Sequence, residues 1–306
     1  MAKKNVFFFC FLLTYWYLCS SIIQHCFLDM AQNESTPSPL SPRLTLRLSR
    51  DMLAFAQVDP SVPNGIRYES YPAGGGVSTA AHLRDAFGKS DLLTAVTTET
   101  RAHVLVDAPV MVVPVEEFRQ RQAELLFQHT FSGHEAEHVM WTGIPSLNAV
   151  ALFSVNKDLR LVLEDHFQDI RWNHVCIPVW THLHRRSFTG LRRKLYAWFH
   201  DRSMELFAFQ QNRFRYVNTF EMGHIADVVY FVLNVWKHLA LDQKHDELHL
   251  LGDVPQRDAL QEELHQYVQN VYVLNPAADF NRDAVTKIEG LPYDLMAVFA
   301  RRFANG

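Results

Sequence analysis

The chain has 306 residues, 48% of them hydrophobic and 20% charged, with a formal net charge of -4. That composition excludes a collagen-like, coiled-coil or wholly disordered chain, and the charge excludes a basic protein held to nucleic acid by phosphate contacts. The length fits about two ordinary domains, and no nucleic-acid partner is expected.

Lys3 and Lys4 precede an apolar run from Val6 to Leu18 broken only by Thr14. That run has signal-peptide length, whereas a spanning helix needs about 20 residues, and extension to Ile23 is marginal. No small-x-small cleavage site follows, and bulky Trp16-Tyr17-Leu18 stands before Cys19. Residues 1–29 therefore carry three readings: a mis-assigned start with Met30 as the true one, a membrane anchor, or a cleaved signal. The first leaves the protein cytoplasmic; the second ties it to the inner membrane through residues 6–23. Three of the four cysteines lie in this stretch, so the body holds only Cys176 and no disulfide framework. Residues 30–43, with Pro37, Pro39 and Pro42, read as a linker.

Leu44-Thr-Leu-Arg-Leu alternates as a strand, Ser49-Arg50-Asp51 turns, and Met52 to Val58 returns. Ile66 to Tyr71 is a third strand. Ser78 caps a helix whose apolar positions are Ala80, Leu83 and Phe87, and His103 to Val106 is a buried strand. The spacing of Phe118, Gln122, Leu125, Leu126 and His129 predicts a helix that begins after Pro114, with Glu116 and Glu117 in its first turn. A second series starts at Lys194. Leu195 to Phe199 is a strand, His200-Asp201-Arg202-Ser203 a turn, and Met204 to Phe209 and Phe214 to Phe220 the next two strands. Val228, Phe231, Val232, Val235, Trp236 and Leu239 line one face of a helix. A strand from Leu248 to Leu251 ends at Gly252. A helix through Leu260 and Leu264 and a strand from Val271 to Leu274 follow.

Each half thus reads as a three-strand meander, a helix, and then alternating strand and helix. This is an α/β pattern of two ribonuclease-H-like domains, residues 44–190 and 191–306, in an actin-like arrangement. Two unrelated α+β domains are the alternative on pattern alone.

Lys194-Leu-Tyr-Ala, Val217-Asn-Thr-Phe, Val235-Trp-Lys-His-Leu and above all the block from Leu241 to Pro255 carry a resemblance to a known family. So do Asn275-Pro276-Ala-Ala-Asp-Phe-Asn-Arg, Gly290-Leu-Pro-Tyr-Asp-Leu and, in the first half, Leu46-Arg-Leu-Ser, Val104-Leu-Val-Asp-Ala-Pro and Val150-Ala-Leu-Phe-Ser-Val. The chain resembles, from Leu44 to Leu295, an uncharacterised bacterial family, domain of unknown function 3822. The resemblance implies an actin-like ATPase fold, shared with pilus-assembly scaffold proteins, and implies no activity.

In that fold, phosphates sit at one hairpin turn per domain, where close backbone approach calls for Gly and a nearby Asp serves Mg²⁺. The corresponding turns here lack Gly. Asp51 and Asp201 are the candidate magnesium residues and Arg50 and Arg202 candidate phosphate contacts, against the plainer reading of polar turns facing solvent. The adenosine-binding strand exit is Gly252-Asp253, with a carboxylate where a second Gly is expected. Asp51, Asp201, Gly252 and Asp253 therefore outline a degenerate nucleotide cleft.

His134-Glu135-Ala-Glu-His138 matches the zinc-hydrolase pattern, but Gly133 ends the preceding helix and Val139-Met140-Trp141 reads as an incoming strand, which places the motif in a loop. Gly74-Gly75-Gly76 has no Walker spacing and reads as a flexible loop. His182, His184, Arg185, Arg186, Arg192 and Arg193 cluster at the junction, as a cleft lining for an acidic partner or as a solvated linker. Cys176 has no Cys or His at ligand spacing and reads as buried filler. The expectation is a non-catalytic pseudo-ATPase that scaffolds or binds a protein partner, with no catalytic residue, metal site or obligatory cofactor. A divergent Mg-ATP-dependent ATPase or small-molecule kinase is the alternative, and a zinc hydrolase through His134, Glu135 and His138 the remote one.

Overall fold

Alternation along one short strand organises the first half. In the computed structural model, which describes residues 43–303 except Gly75 and residues 189–191, the first strand is Leu44–Leu48 (β1). Leu44, Leu46 and Leu48 point into one core, and Thr45 and Arg47 into the opposite face, yet all five are buried. A strand covered on both faces belongs at the centre of a sheet. β1 indeed pairs antiparallel with Met52–Val58 (β2) and parallel with Arg101–Val106 (β4). Ile66–Pro72 (β3) and Asp169–His174 (β8) close the two edges, giving the order β3-β2-β1-β4-β8. The leader, the linker through residue 42 and the expected boundary at 190 lie outside the described residues.

Thr79–Phe87 (α1) starts where expected, with Ser78 Oγ accepting from the Ala81 N–H at 3.3 Å. The helix expected after Pro114 is corrected. Val110–Pro114 is a strand (β5), residues 115–117 turn, Gln120–Gln122 make a single 3-10 turn, and the α-helix (α2) runs only over Ala123–Thr130. The N–H groups of Glu117 and Phe118 both bond the Pro114 carbonyl, which closes a turn where a helix was expected. Ala123 and Phe127 are the buried face; Leu125 and Leu126 are exposed. Helical spacing over residues 118–129 was real, but it spanned a turn and a helix whose apolar face is offset. β5, His138–Ile144 (β6) and Ala149–Val155 (β7) make a three-stranded antiparallel sheet inserted before the helix Lys157–His166 (α3).

The second half repeats the plan without the insertion. Lys194–His200 (β9), Ser203–Gln210 (β10) and Arg213–Glu221 (β11) form the meander; Glu247–Gly252 (β12) and Asn270–Val273 (β13) extend it in parallel. The order β11-β10-β9-β12-β13 is that of the first sheet. Ile225–His238 (α5) covers its outer face through Val228, Val232, Val235 and Trp236, and Arg257–His265 (α6) through Leu260 and Leu264. A hydrogen bond from His224 N to Asp227 Oδ2 at 2.9 Å closes the capping box of α5.

The inner faces of the two sheets share one core with the helices Cys176–Ser187 (α4) and Tyr293–Phe303 (α7). Ala54, Ala56 and Leu105 enter it from the first sheet; Tyr196, Trp198, Phe207 and Leu251 from the second. The cationic cluster of α4 is partly tied down here. His182 Nε2 and Arg186 Nε reach the Asp279 carboxylate at 2.8 and 2.7 Å, and Arg193 pairs with Asp246 at 2.6 Å. These contacts replace the expected solvated linker at those three positions. Asp246 also accepts from Asp242 N at 2.6 Å, and the Asp242 carboxylate accepts from Lys244 N and His245 N at 2.8 Å, so the loop before β12 is folded around two carboxylates. Among the described residues, no helix is long and apolar enough to cross a membrane.

Candidate functional site

The β1–β2 and β9–β10 turns face each other at one end of the shared core. Asp201 and Arg202, the whole of the second turn, have φ of 42° and 62° between the paired residues His200 and Ser203. That is the turn geometry whose twist matches a hairpin, and it normally takes Asn or Gly. Two non-glycine residues there cost of order 1 kcal/mol each, so contacts elsewhere must hold them.

Those contacts come from β1 and the turn that follows it. Arg47 sits on the inward face of its strand with a side chain only 2% exposed. Its Nε donates to Asp294 Oδ2, in the first turn of α7, at 2.6 Å, and its Nη2 donates to Asp201 Oδ2. Its Nη1 donates to Ser49 Oγ at 3.2 Å, while the Ser49 hydroxyl donates to Asp201 Oδ1 at 2.6 Å. Burial would lower the Arg47 pKa, but Asp294 and Asp201 outweigh it and the guanidinium stays charged. Burial likewise raises the Asp201 carboxyl, yet His200, Arg47 and Ser49 carry it well below the carboxylate range. Outside this network, Arg202 closes on Asp51 with Nε–Oδ2 2.7 Å and Nη2–Oδ1 2.5 Å.

The four expected site residues end up at this junction in different roles. The Asp201 side chain is 6% exposed and saturated by Arg47, Ser49 and His200, not facing solvent as a plain polar turn would. Asp51 is engaged by Arg202 across the cleft. Gly252 has φ of +81°, and a Cβ there would lie 2.2 Å from the Phe199 carbonyl oxygen and 2.9 Å from the Trp198 ring. Close approach of β9 explains the glycine without a nucleotide. Asp253 is exposed at the strand exit, its N–H bonded to Phe199 O at 2.9 Å. Arg50 is exposed at the tip of the first turn.

Arg47, Ser49, Asp294 and Glu205 were missed by sequence reasoning. Arg47 in Leu-Thr-Leu-Arg-Leu and Glu205 in Met-Glu-Leu-Phe-Ala-Phe occupy inward positions of strands that must be central, and a charge there signals a buried pair. Glu205, fully buried, accepts from Cys176 Sγ at 2.5 Å and Trp180 Nε1 at 2.7 Å. Burial pushes its pKa up to about 7 against those donors and His200. His174 is neutral, taken by burial down to about 3 despite its bond to the Ala108 carbonyl. Its Nδ1 accepts the Cys176 N–H at 3.2 Å, which fixes the start of α4. The zinc-hydrolase pattern has no helix: residues 134–137 form a turn, His138 opens β6, and His134 Nδ1 bonds Glu137 at 2.8 Å.

The family model of a protein of unknown function (DUF3822) matches residues 32–271. Among curated proteins, none matches this chain. A solved structure from Bacteroides thetaiotaomicron VPI-5482, a protein with actin-like ATPase fold and unknown function, is similar with TM-score 0.71 and 27% identity. The likeness covers 81% of this chain and 96% of that one. A chain of the PilM-PilN type IV pilus biogenesis complex is similar with TM-score 0.56 and 11% identity, covering 85% of this chain and 98% of that one. The fold is the actin-like ATPase fold, in agreement with the repeated sheets.

Proposed function

This chain belongs to the DUF3822 family of proteins of unknown function, and from the state of its cleft we propose that it is a non-catalytic actin-like scaffold that binds a protein partner. In this reading the nucleotide site is degenerate. The observation that carries it is Arg47, whose guanidinium lies between the two hairpin turns and consumes the carboxylate that would serve Mg²⁺. A magnesium ion would have to displace it, leaving a buried cation with Asp294 as its remaining carboxylate partner. Asp201, Asp294 and Asp253 also surround the Arg47 charge with carboxylates, an unfavourable field for a polyphosphate. That a chain of similar fold belongs to a pilus biogenesis complex supports a protein as the partner, by analogy of fold.

Thermal denaturation with and without Mg-ATP tests this. The expected result is an unchanged melting temperature and phosphate release at background. A saturable, nucleotide-specific rise in melting temperature, with turnover lost in Asp51→Ala, overturns it.

A further inference from the structure

We propose that Cys176, His200 and Glu205 form a buried site for a zinc-type transition-metal dication at the junction of the two halves. Their ligand atoms all lie within 4.8 Å of one another. The residues are 2%, 5% and 0% exposed. Sequence separation hid the group: Cys176 opens α4, while His200 and Glu205 flank the β9–β10 turn.

Each residue is prepared for the role. His200 Nε2 is buried with no hydrogen-bond partner, a lone pair or N–H left without use in the core. Its other nitrogen, Nδ1, faces Asp201 Oδ2 at 3.4 Å. A carboxylate behind the distal nitrogen is how metal-bound imidazoles are oriented. Trp180 Nε1 holds Glu205 Oε1 at 2.7 Å, which aims Oε2 at Cys176 Sγ, 2.5 Å away. Ligand oxygen and sulfur on one tetrahedral zinc stand roughly 3.5 Å apart, from bonds of about 2.0 and 2.3 Å. Metal binding would therefore replace the Cys176–Glu205 hydrogen bond and move the two ligand atoms about 1 Å apart.

The donor set selects the metal. One sulfur, one imidazole nitrogen and one carboxylate oxygen suit zinc, whereas magnesium demands six oxygens. The charges also balance: the thiol gives its proton to solvent, and thiolate plus carboxylate cancel the dication inside an apolar core. The fourth position falls to water. The ion would join a helix of the first half to a hairpin of the second.

The full chain, produced without an affinity tag in zinc-supplemented medium, is assayed for metal by mass spectrometry and, after chelator stripping, titrated with Co²⁺. The expected results are about one zinc per chain and a thiolate-to-cobalt charge-transfer band, both lost in Cys176→Ser and His200→Gln. Zinc should also raise the melting temperature of the stripped protein. His138→Ala controls for zinc held at the surface and should keep both signals. Zinc retained in Cys176→Ser, or a folded wild-type chain that gives neither a thiolate–cobalt band nor a zinc-dependent rise in melting temperature, overturns the proposal.

Discussion

Replacing Arg47 by Met removes a charge while keeping most of the side-chain volume, so it isolates the electrostatic brace from packing. The guanidinium and its two carboxylates are 2%, 6% and 0% exposed. Without the cation, Asp294 keeps only the N–H of Leu295 at 2.7 Å, and Asp201 keeps Ser49 and His200. Breaking a buried pair by removing one member costs about 3–5 kcal/mol, because the survivor stays buried and charged. In a chain of this size 1 kcal/mol moves the melting temperature by about 2–4 °C, so the variant should melt about 10 °C lower. Far-ultraviolet circular dichroism on heating and urea titration both read the loss. Arg47→Met combined with Asp201→Asn and Asp294→Asn should recover at least half of it, since no uncompensated charge remains. A loss below about 1 kcal/mol, or a triple variant no more stable than the single one, refutes the reasoning.

Other perturbations follow from the same geometry. Gly252→Ala forces a Cβ against the Phe199 carbonyl at a positive φ and should cost at least about 2 kcal/mol in urea titration; a neutral result would mean that β9 and β12 separate easily. Asp279 is raised by burial, but His182, Tyr293 and Arg186 outweigh burial and hold it below its usual range. Its stabilisation is therefore complete above about pH 4 and is lost as pH falls through the depressed value. Asp279→Asn should flatten the acid limb of the stability profile; an unchanged limb would contradict the pairing. Arg202 is 73% exposed where it meets Asp51, so Asp51→Ala should change stability little, and any coupling should disappear in 1 M salt.

Local pattern sufficed for the repeated meander because the central strands carry apolar residues at alternate positions, as in Leu44-Thr-Leu-Arg-Leu, or throughout, as from Leu195 to Phe199, with polar turns between. Capping by Ser78 was equally local. Of the inserted sheet, the strand at Val139-Met140-Trp141 was legible, but β5 was not, because residues 118–129 imitate one helical face and drew the reading from Pro114 onward into a helix. At the cleft, the positions Asp51, Asp201, Gly252 and Asp253 could be found by family resemblance, but their partners could not. Arg47 meets Asp201 and Asp294 across 154 and 247 residues, separations that no periodicity carries. The signal that was present is the charge itself at an inward strand position.

The brace also sets an order of events during synthesis. β1 is the central strand of the first sheet, yet its buried cation is compensated by residues 154 and 247 positions downstream. As the chain leaves the ribosome, the first half holds all its strands by residue 174 and still lacks both counter-charges. Domains generally fold as units in the order they emerge, but here the earliest core strand is finished only when the last helix docks. A polypeptide stopped short of Asp294 keeps Asp201 as the single counter-charge for the arginine in its interior, so the brace is half made until the last helix docks.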